Sequence, residues 1–219
     1  MNEIVTLRLP AAGGRSLLEA LASFGRCLAA DVRVVIVTGS GPDVAGPDFA
    51  AWRPPADGSS EVSGADDGTI SGWLRRPDII TVAVLRGEVT GSVLRVAFAC
   101  DLRLAADDAV LSLRLDSEPD ALGDLAVRLT DLIGYAKALE FVIAGRRLSG
   151  REAERLGLVN RAVPSAQLAA AADELASAIV ATPRETATEA KALLSSALTD
   201  GRARAADMAT AFVLARGET

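Results

Sequence analysis

Few residues in this sequence are equipped for chemistry. None of the 219 residues is a histidine, which excludes Ser-His-Asp and Cys-His nucleophiles, HExxH metalloprotease sites and the usual zinc sites. The two cysteines, Cys27 and Cys100, lie in apolar helical contexts and read as buried, inert thiols. Proton transfer therefore falls to Asp, Glu, Lys, Tyr or bound water. Two stretches stand out. Gly87 and Gly91 bracket a turn that leads into Val93, Val96, Ala97 and Cys100 at helical spacing. A helix opening on such a turn presents unpaired N–H groups and a partial positive charge, which suits a developing oxyanion. The same residues also read as a plain turn between two buried elements. The second stretch is the loop at 116–124, which holds Asp116, Glu118, Asp120 and Asp124. It is either a solvated acidic loop or, beside a bound substrate, a source of an acid or base.

Several elements must position these groups. Residues 79–85 form a nearly continuous apolar, β-branched run, as expected of a strand covered on both faces. Residues 4–9 predict a first strand, 16–28 a helix and 32–38 a second buried strand, a β-α-β start whose following loop, from Gly39, lies where open α/β sheets place ligands. The polar stretch at 53–72 is read as a lid or a disordered excursion. Short strands are expected at 102–105 and 110–115, and helices from Leu125 onward. Ser149 with Glu152 forms a capping box ahead of Gly157 as C′ residue. Thr182 is the expected N-cap of a further helix with Pro183 at its first position, and a last helix is expected over 202–216.

Composition narrows the partners. Half of the residues are apolar, enough for a sizeable core, and a net charge of −6 argues against general binding of nucleic acid or anionic membrane. No apolar run approaches the roughly 18 residues of a membrane span, and the first residues lack the basic and apolar regions of a signal peptide. A cytoplasmic protein is expected. Any phosphate it binds must be met by local cations, for which Arg53, Arg75, Arg76 and Lys137 are generic candidates.

Three segments in order carry a family resemblance that spans nearly the whole chain. Residues 143–164, IAGRRLSGREAERLGLVNRAVP, together with LIGYAKALE at 132–140 and AFACDLRLAADD at 97–108, resemble the defining motifs of the crotonase (enoyl-CoA hydratase/isomerase) superfamily. The resemblance implies an α/β protein, a crotonase-like ββα spiral with a C-terminal helical oligomerisation region. Residues 1–164 would be the core and 165–219 the helical part. It implies acyl-CoA thioester binding, an enolate stabilised by two backbone N–H groups, a homotrimer or hexamer, and no cofactor or metal beyond the acyl-CoA itself.

Carried over by position, the family's functional residues have been rewritten. Ala45-Gly46-Pro47-Asp48 occupies the loop that supplies one oxyanion donor, and Pro47 has no N–H to give, leaving Gly46 as the nearest substitute. Ala45 and the generic cations Arg53 and Lys137 are the candidates for the CoA side. The second donor maps to Gly91-Ser92-Val93, with the N–H of Ser92 in the central place. Arg95 stands where hydratases carry a catalytic glutamate, and Leu115 where they carry the other. A guanidinium is no general base. Asp124, Asp116 and Glu118 are then the candidate carboxylates, Asp124 preferred because some branches place an acid in its loop. Two readings follow. One is an acyl-CoA enzyme, a lyase or isomerase, of chemistry other than plain enoyl-CoA hydration. The other is a catalytically degenerate accessory or assembly subunit of a polyketide-type pathway, in which Glu88 or Asp124 pairs structurally with Arg95.

Overall fold

The computed structural model describes residues 3–9, 21, 24, 25, 27–39, 72–113 and 122–198, with backbone alone at 92 and 122–124. The apolar run at 79–85 becomes the middle strand of a five-stranded sheet. In chain order its strands are β1 (Ile4–Leu9), β2 (Val34–Gly39), β3 (Ile80–Leu85), then β5 (Leu102–Ala106) and β8 (Arg161–Val163). The spatial order is the same, β1-β2-β3-β5-β8, and every pairing is parallel. Val34, Val35, Ile36 and Val37 of β2 and Val82, Ala83, Val84 and Leu85 of β3 are all buried, because helices and loops cover both faces. A second sheet orders β4 (Glu88–Val89), β6 (Val110–Leu111) and β7 (Leu148–Ser149). β4 lies parallel to β6, and β6 antiparallel to β7.

Helices among the described residues include α1 (Gly91–Ala99), α2 (Leu122–Ile133), α3 (Tyr135–Ile143), α4 (Gly150–Leu156) and α5 (Leu168–Ala181). Leu94, Val96, Ala97 and Phe98 bury the inner side of α1. The entry to β5 is fastened to β3 through Asp101, whose carboxylate accepts from the Thr81 N–H at 2.8 Å and hydroxyl at 2.9 Å. Gly134, at φ 76°, breaks the chain between α2 and α3. The expected capping box opens α4. The Glu152 N–H reaches the Ser149 hydroxyl at 3.3 Å, the Ser149 N–H reaches the Glu152 carboxylate at 2.8 Å, and Gly157 closes the helix at φ 90°. The Ser149 N–H and then its hydroxyl hold the Glu152 carboxyl below its ordinary value. α5 packs on β2, β3 and β5, and its last turn accepts a 2.8 Å bond at Val180 from the Arg33 guanidinium.

The chain divides into two compact units, Met1–Ala181 and Thr182–Thr219. The second is described as a helix over 184–198, where the Ala187 N–H bonds to the Pro183 carbonyl at 3.1 Å. It starts one residue later than expected from Thr182. Other expectations also shift. Cys27 is exposed, not buried, because the helix through Leu21, Phe24 and Gly25 has ended and the thiol sits in the turn before β2. The strand expected over 110–115 stops at Leu111, since its partner β4 is only two residues long. The helix expected at 202–216 and, except for Gly72, the stretch at 53–72 lie outside the described residues. Among the described residues, no helix is long and apolar enough to cross a membrane.

Candidate active site

The turn that follows β3 leads into a helix whose first amides have no side-chain cap among the described residues. Gly87 takes φ 64°, β4 holds Glu88 and Val89, Thr90 is extended, and Gly91 enters α1 at φ 53°. Residues with a side chain seldom take that last angle, so a glycine is required there. The Thr90 side chain makes no capping hydrogen bond, and the first intrahelical bond runs from the Leu94 N–H to the Thr90 carbonyl at 3.3 Å. The N–H groups of Gly91, Ser92 and Val93 therefore precede any acceptor within the helix. No acidic residue stands in the first turn of α1. Arg95, one turn in, is half-buried rather than turned out to solvent. The helix dipole gives this end of α1 a partial positive charge, suited to an oxygen that gains negative charge.

The opposite end of α1 is held by two guanidiniums. Arg128, from α2, donates from Nε to the Phe98 carbonyl at 3.0 Å and from Nη2 to the Cys100 carbonyl at 3.2 Å. Arg103, in β5, donates from Nη1 to the same Cys100 carbonyl at 2.8 Å and from Nε to the Leu158 carbonyl at 2.7 Å. Arg103 is 3% exposed. Burial, and after it the charge of Arg128, pulls its guanidinium down to about 10. The motif reading did not single out either arginine. A signal existed in Arg103, a permanent charge inside the apolar strand Leu102–Ala106.

Of the residues expected at the site, Gly91, the Ser92 backbone and Arg95 are brought together on α1. The backbone of Asp124 lies in the first turn of α2, the helix that packs against α1. Ala45, Gly46, Pro47, Arg53, Leu115, Asp116 and Glu118 lie outside the described residues, as does the Asp124 carboxylate. Lys137 is exposed on α3, and Arg75 is exposed at the end of a 3-10 turn. Arg76 is not a free phosphate partner. Its fork is occupied by Asp78, at 3.1 Å from Nε and 2.6 Å from Nη2, a bond that raises its pKa further. Of the two partners expected for Arg95, Glu88 forms an exposed ion pair with Arg147 instead, and the Asp124 carboxylate lies outside the described residues. Among the described residues, no cluster of Cys, Asp and Glu could hold a metal ion.

A parallel sheet, a second small sheet and a glycine-started helix with open amides define a crotonase fold, and comparison with known proteins agrees. The chain belongs to the enoyl-CoA hydratase/isomerase family, whose model matches residues 14–213. It is 43% identical over 103 residues to YngF of Bacillus subtilis, a candidate enoyl-CoA hydratase/isomerase, covering 46% of this chain and 39% of that protein. It is 34% identical over 158 residues to the carnitinyl-CoA dehydratase of Salmonella typhi, covering 68% of this chain and 58% of the relative. Both matches thus span less than two thirds of the relatives' length. A candidate enoyl-CoA hydratase of Thermobifida fusca, solved in complex with acetoacetyl-CoA, superposes with a TM-score of 0.73 at 29% identity. That superposition covers 99% of this chain and 93% of the other.

Proposed function

We propose that this protein binds an acyl-CoA thioester with its carbonyl oxygen on the N-terminal amides of α1, Ser92 foremost, and stabilises an enolate-type intermediate. The observation that carries this is the uncapped start of α1 on Gly91. Family membership and the acetoacetyl-CoA bound to the Thermobifida fusca protein support it. As the α-carbon loses a proton, negative charge moves to the thioester oxygen, and fixed donors in a dry site lower that barrier by several kcal/mol. Arg95, a permanent cation, adds to the attraction and supplies no base. Proton transfer falls to Asp124, at the start of α2, with Asp116 and Glu118 as the other carboxylates of that region. Arg95 and Leu115, read as standing where a hydratase carries its two glutamates, direct the chemistry away from plain enoyl-CoA hydration. Lys137, Arg53 and Ala45 belong to the CoA side of this reading.

Titration calorimetry with acetyl-CoA tests the proposal, and binding is expected. Crotonyl-CoA hydration is expected near background, and a robust rate would show that the assignment of Arg95 is wrong. A second reading, an accessory or assembly subunit without thioester chemistry, draws on Pro47, which has no N–H for the first donor. Absence of acetyl-CoA binding at millimolar ligand would favour it. Self-association as a trimer or hexamer is part of the first reading, supported by the exposed stripe of Tyr135, Leu139 and Ile143 along α3. A cytoplasmic location is also part of it, supported by Cys27 and Cys100 being thiols rather than a disulfide.

A further inference from the structure

The C-terminal end of α1 carries more positive charge than a helix end requires. Its last turn contains no basic residue of its own. The Cys100 carbonyl nonetheless receives two guanidiniums, Arg128 at 3.2 Å and Arg103 at 2.8 Å, and Arg128 also takes the Phe98 carbonyl at 3.0 Å. Phe98 and Cys100 are fully buried. One cation is enough to satisfy a helix end. Two that share a buried carbonyl repel one another, and that repulsion contributes to the lowered value at Arg103. The arrangement gains something in return at the other end of the helix. α1 has nine residues, about 13 Å at 1.5 Å each. Cations at its negative end cancel the part of the dipole that opposes an anion at its positive end. The two-point grip of Arg128 also ties α2 to α1 at fixed height, and Asp124 lies one turn before Arg128 on α2.

We propose that Arg128, backed by Arg103, is a positioning residue for the thioester site, holding α1 in place and its N-terminal amides polarised toward a carbonyl oxygen. This inference rests on the thioester reading above. Arg128 itself touches only the far end of the helix, so its removal should weaken recognition of the acyl carbonyl and leave recognition of the CoA moiety alone.

The test compares dissociation constants of CoA and acetoacetyl-CoA, measured by calorimetry on the full chain, for wild type, Arg128→Met and Arg128→Lys, with thermal unfolding alongside. In the wild type, acetoacetyl-CoA should bind more tightly than CoA because only it brings an oxygen to the amides. In Arg128→Met this advantage should fall by about tenfold, or about 1.4 kcal/mol, with CoA affinity unchanged. Arg128→Lys keeps the charge and can hold only one carbonyl at good geometry, so a loss of roughly threefold is expected. If Arg128→Met does not fold, the same ratio is read on Arg128→Lys. A folded variant that melts earlier and keeps the wild-type ratio would overturn the proposal and reduce Arg128 to a packing role. Failure of the wild type to bind either ligand would instead overturn the thioester reading, and this inference with it.

Discussion

Replacing Gly91 with alanine tests the turn that exposes the α1 amides. Gly91 sits at φ 53°, and a side chain in that left-handed region costs about 1–2 kcal/mol. If the chain keeps its conformation, that cost appears as lost stability. For a protein of this size each kcal/mol shifts Tm by about 2–4 °C, so a fall of roughly 2–8 °C is expected. If Gly91 instead relaxes to negative φ, the peptide unit joining it to Ser92 rotates and the Ser92 N–H leaves its direction. Hydrogen bonds weaken steeply once that angle falls below about 120°, so acetyl-CoA affinity drops while Tm holds. Gly87→Ala is the control. It has a similar φ of 64° and nothing within 4 Å of an added Cβ, so it should lower Tm by a similar amount and leave acetyl-CoA binding unchanged. The assay is thermal unfolding paired with acetyl-CoA calorimetry on both variants. Gly91→Ala with unaltered Tm and unaltered affinity would refute the reasoning.

Gly150→Ala should be more damaging than either. An added Cβ would lie 2.0 Å from the Ala106 carbonyl oxygen, a backbone atom at the end of β5, so α4 or the strand must move. Urea unfolding should report a loss of about 3 kcal/mol or more, the upper range of overpacking, and a near-neutral result would show that α4 is not pressed against β5. Glu152→Gln addresses pH. The folded-state Glu152 carboxyl lies below its unfolded value because the Ser149 N–H and hydroxyl bind the anion. Its contribution is therefore full above the unfolded value and lost as pH falls through the folded one. The Tm gap between wild type and variant should be widest near neutral pH and narrow as acidification carries the folded carboxyl through its lowered value; a gap that is constant or widens on acidification would contradict the capping assignment.

What could be read from the residues was what local pattern and composition determine. The apolar, β-branched run of β3, the Gly87–Gly91 turn, the helix after it and the capping box at Ser149 all fell where expected, because each depends on neighbours within a few positions. The two-residue strands β4 and β7 did not, since they exist only through pairing with β6, which no local signal carries. Cys27 was misread because its apolar neighbours continue past the point where the helix stops. The partners of Arg76 and Glu88 were missed for a different reason. Asp78 is near Arg76 in sequence, but its fork geometry depends on the turn between them, and Arg147 reaches Glu88 across 59 positions. The motif match pointed to α1 as the candidate site. The grip of Arg128 and Arg103 on its far end could not be read, because it depends on how α2 and β5 pack around a single carbonyl.

Polarisation of the thioester carbonyl by the open amides of α1 is most directly seen in the infrared spectrum of carbonyl-labelled acetyl-CoA bound to the protein. Hydrogen bonds from fixed donors weaken the C=O bond, so the bound stretch should lie at lower frequency than that of the free ligand, and the shift should shrink in Gly91→Ala where that variant's acetyl-CoA affinity falls. A ligand that binds with its carbonyl stretch unshifted from solution would contradict the account, whatever its affinity.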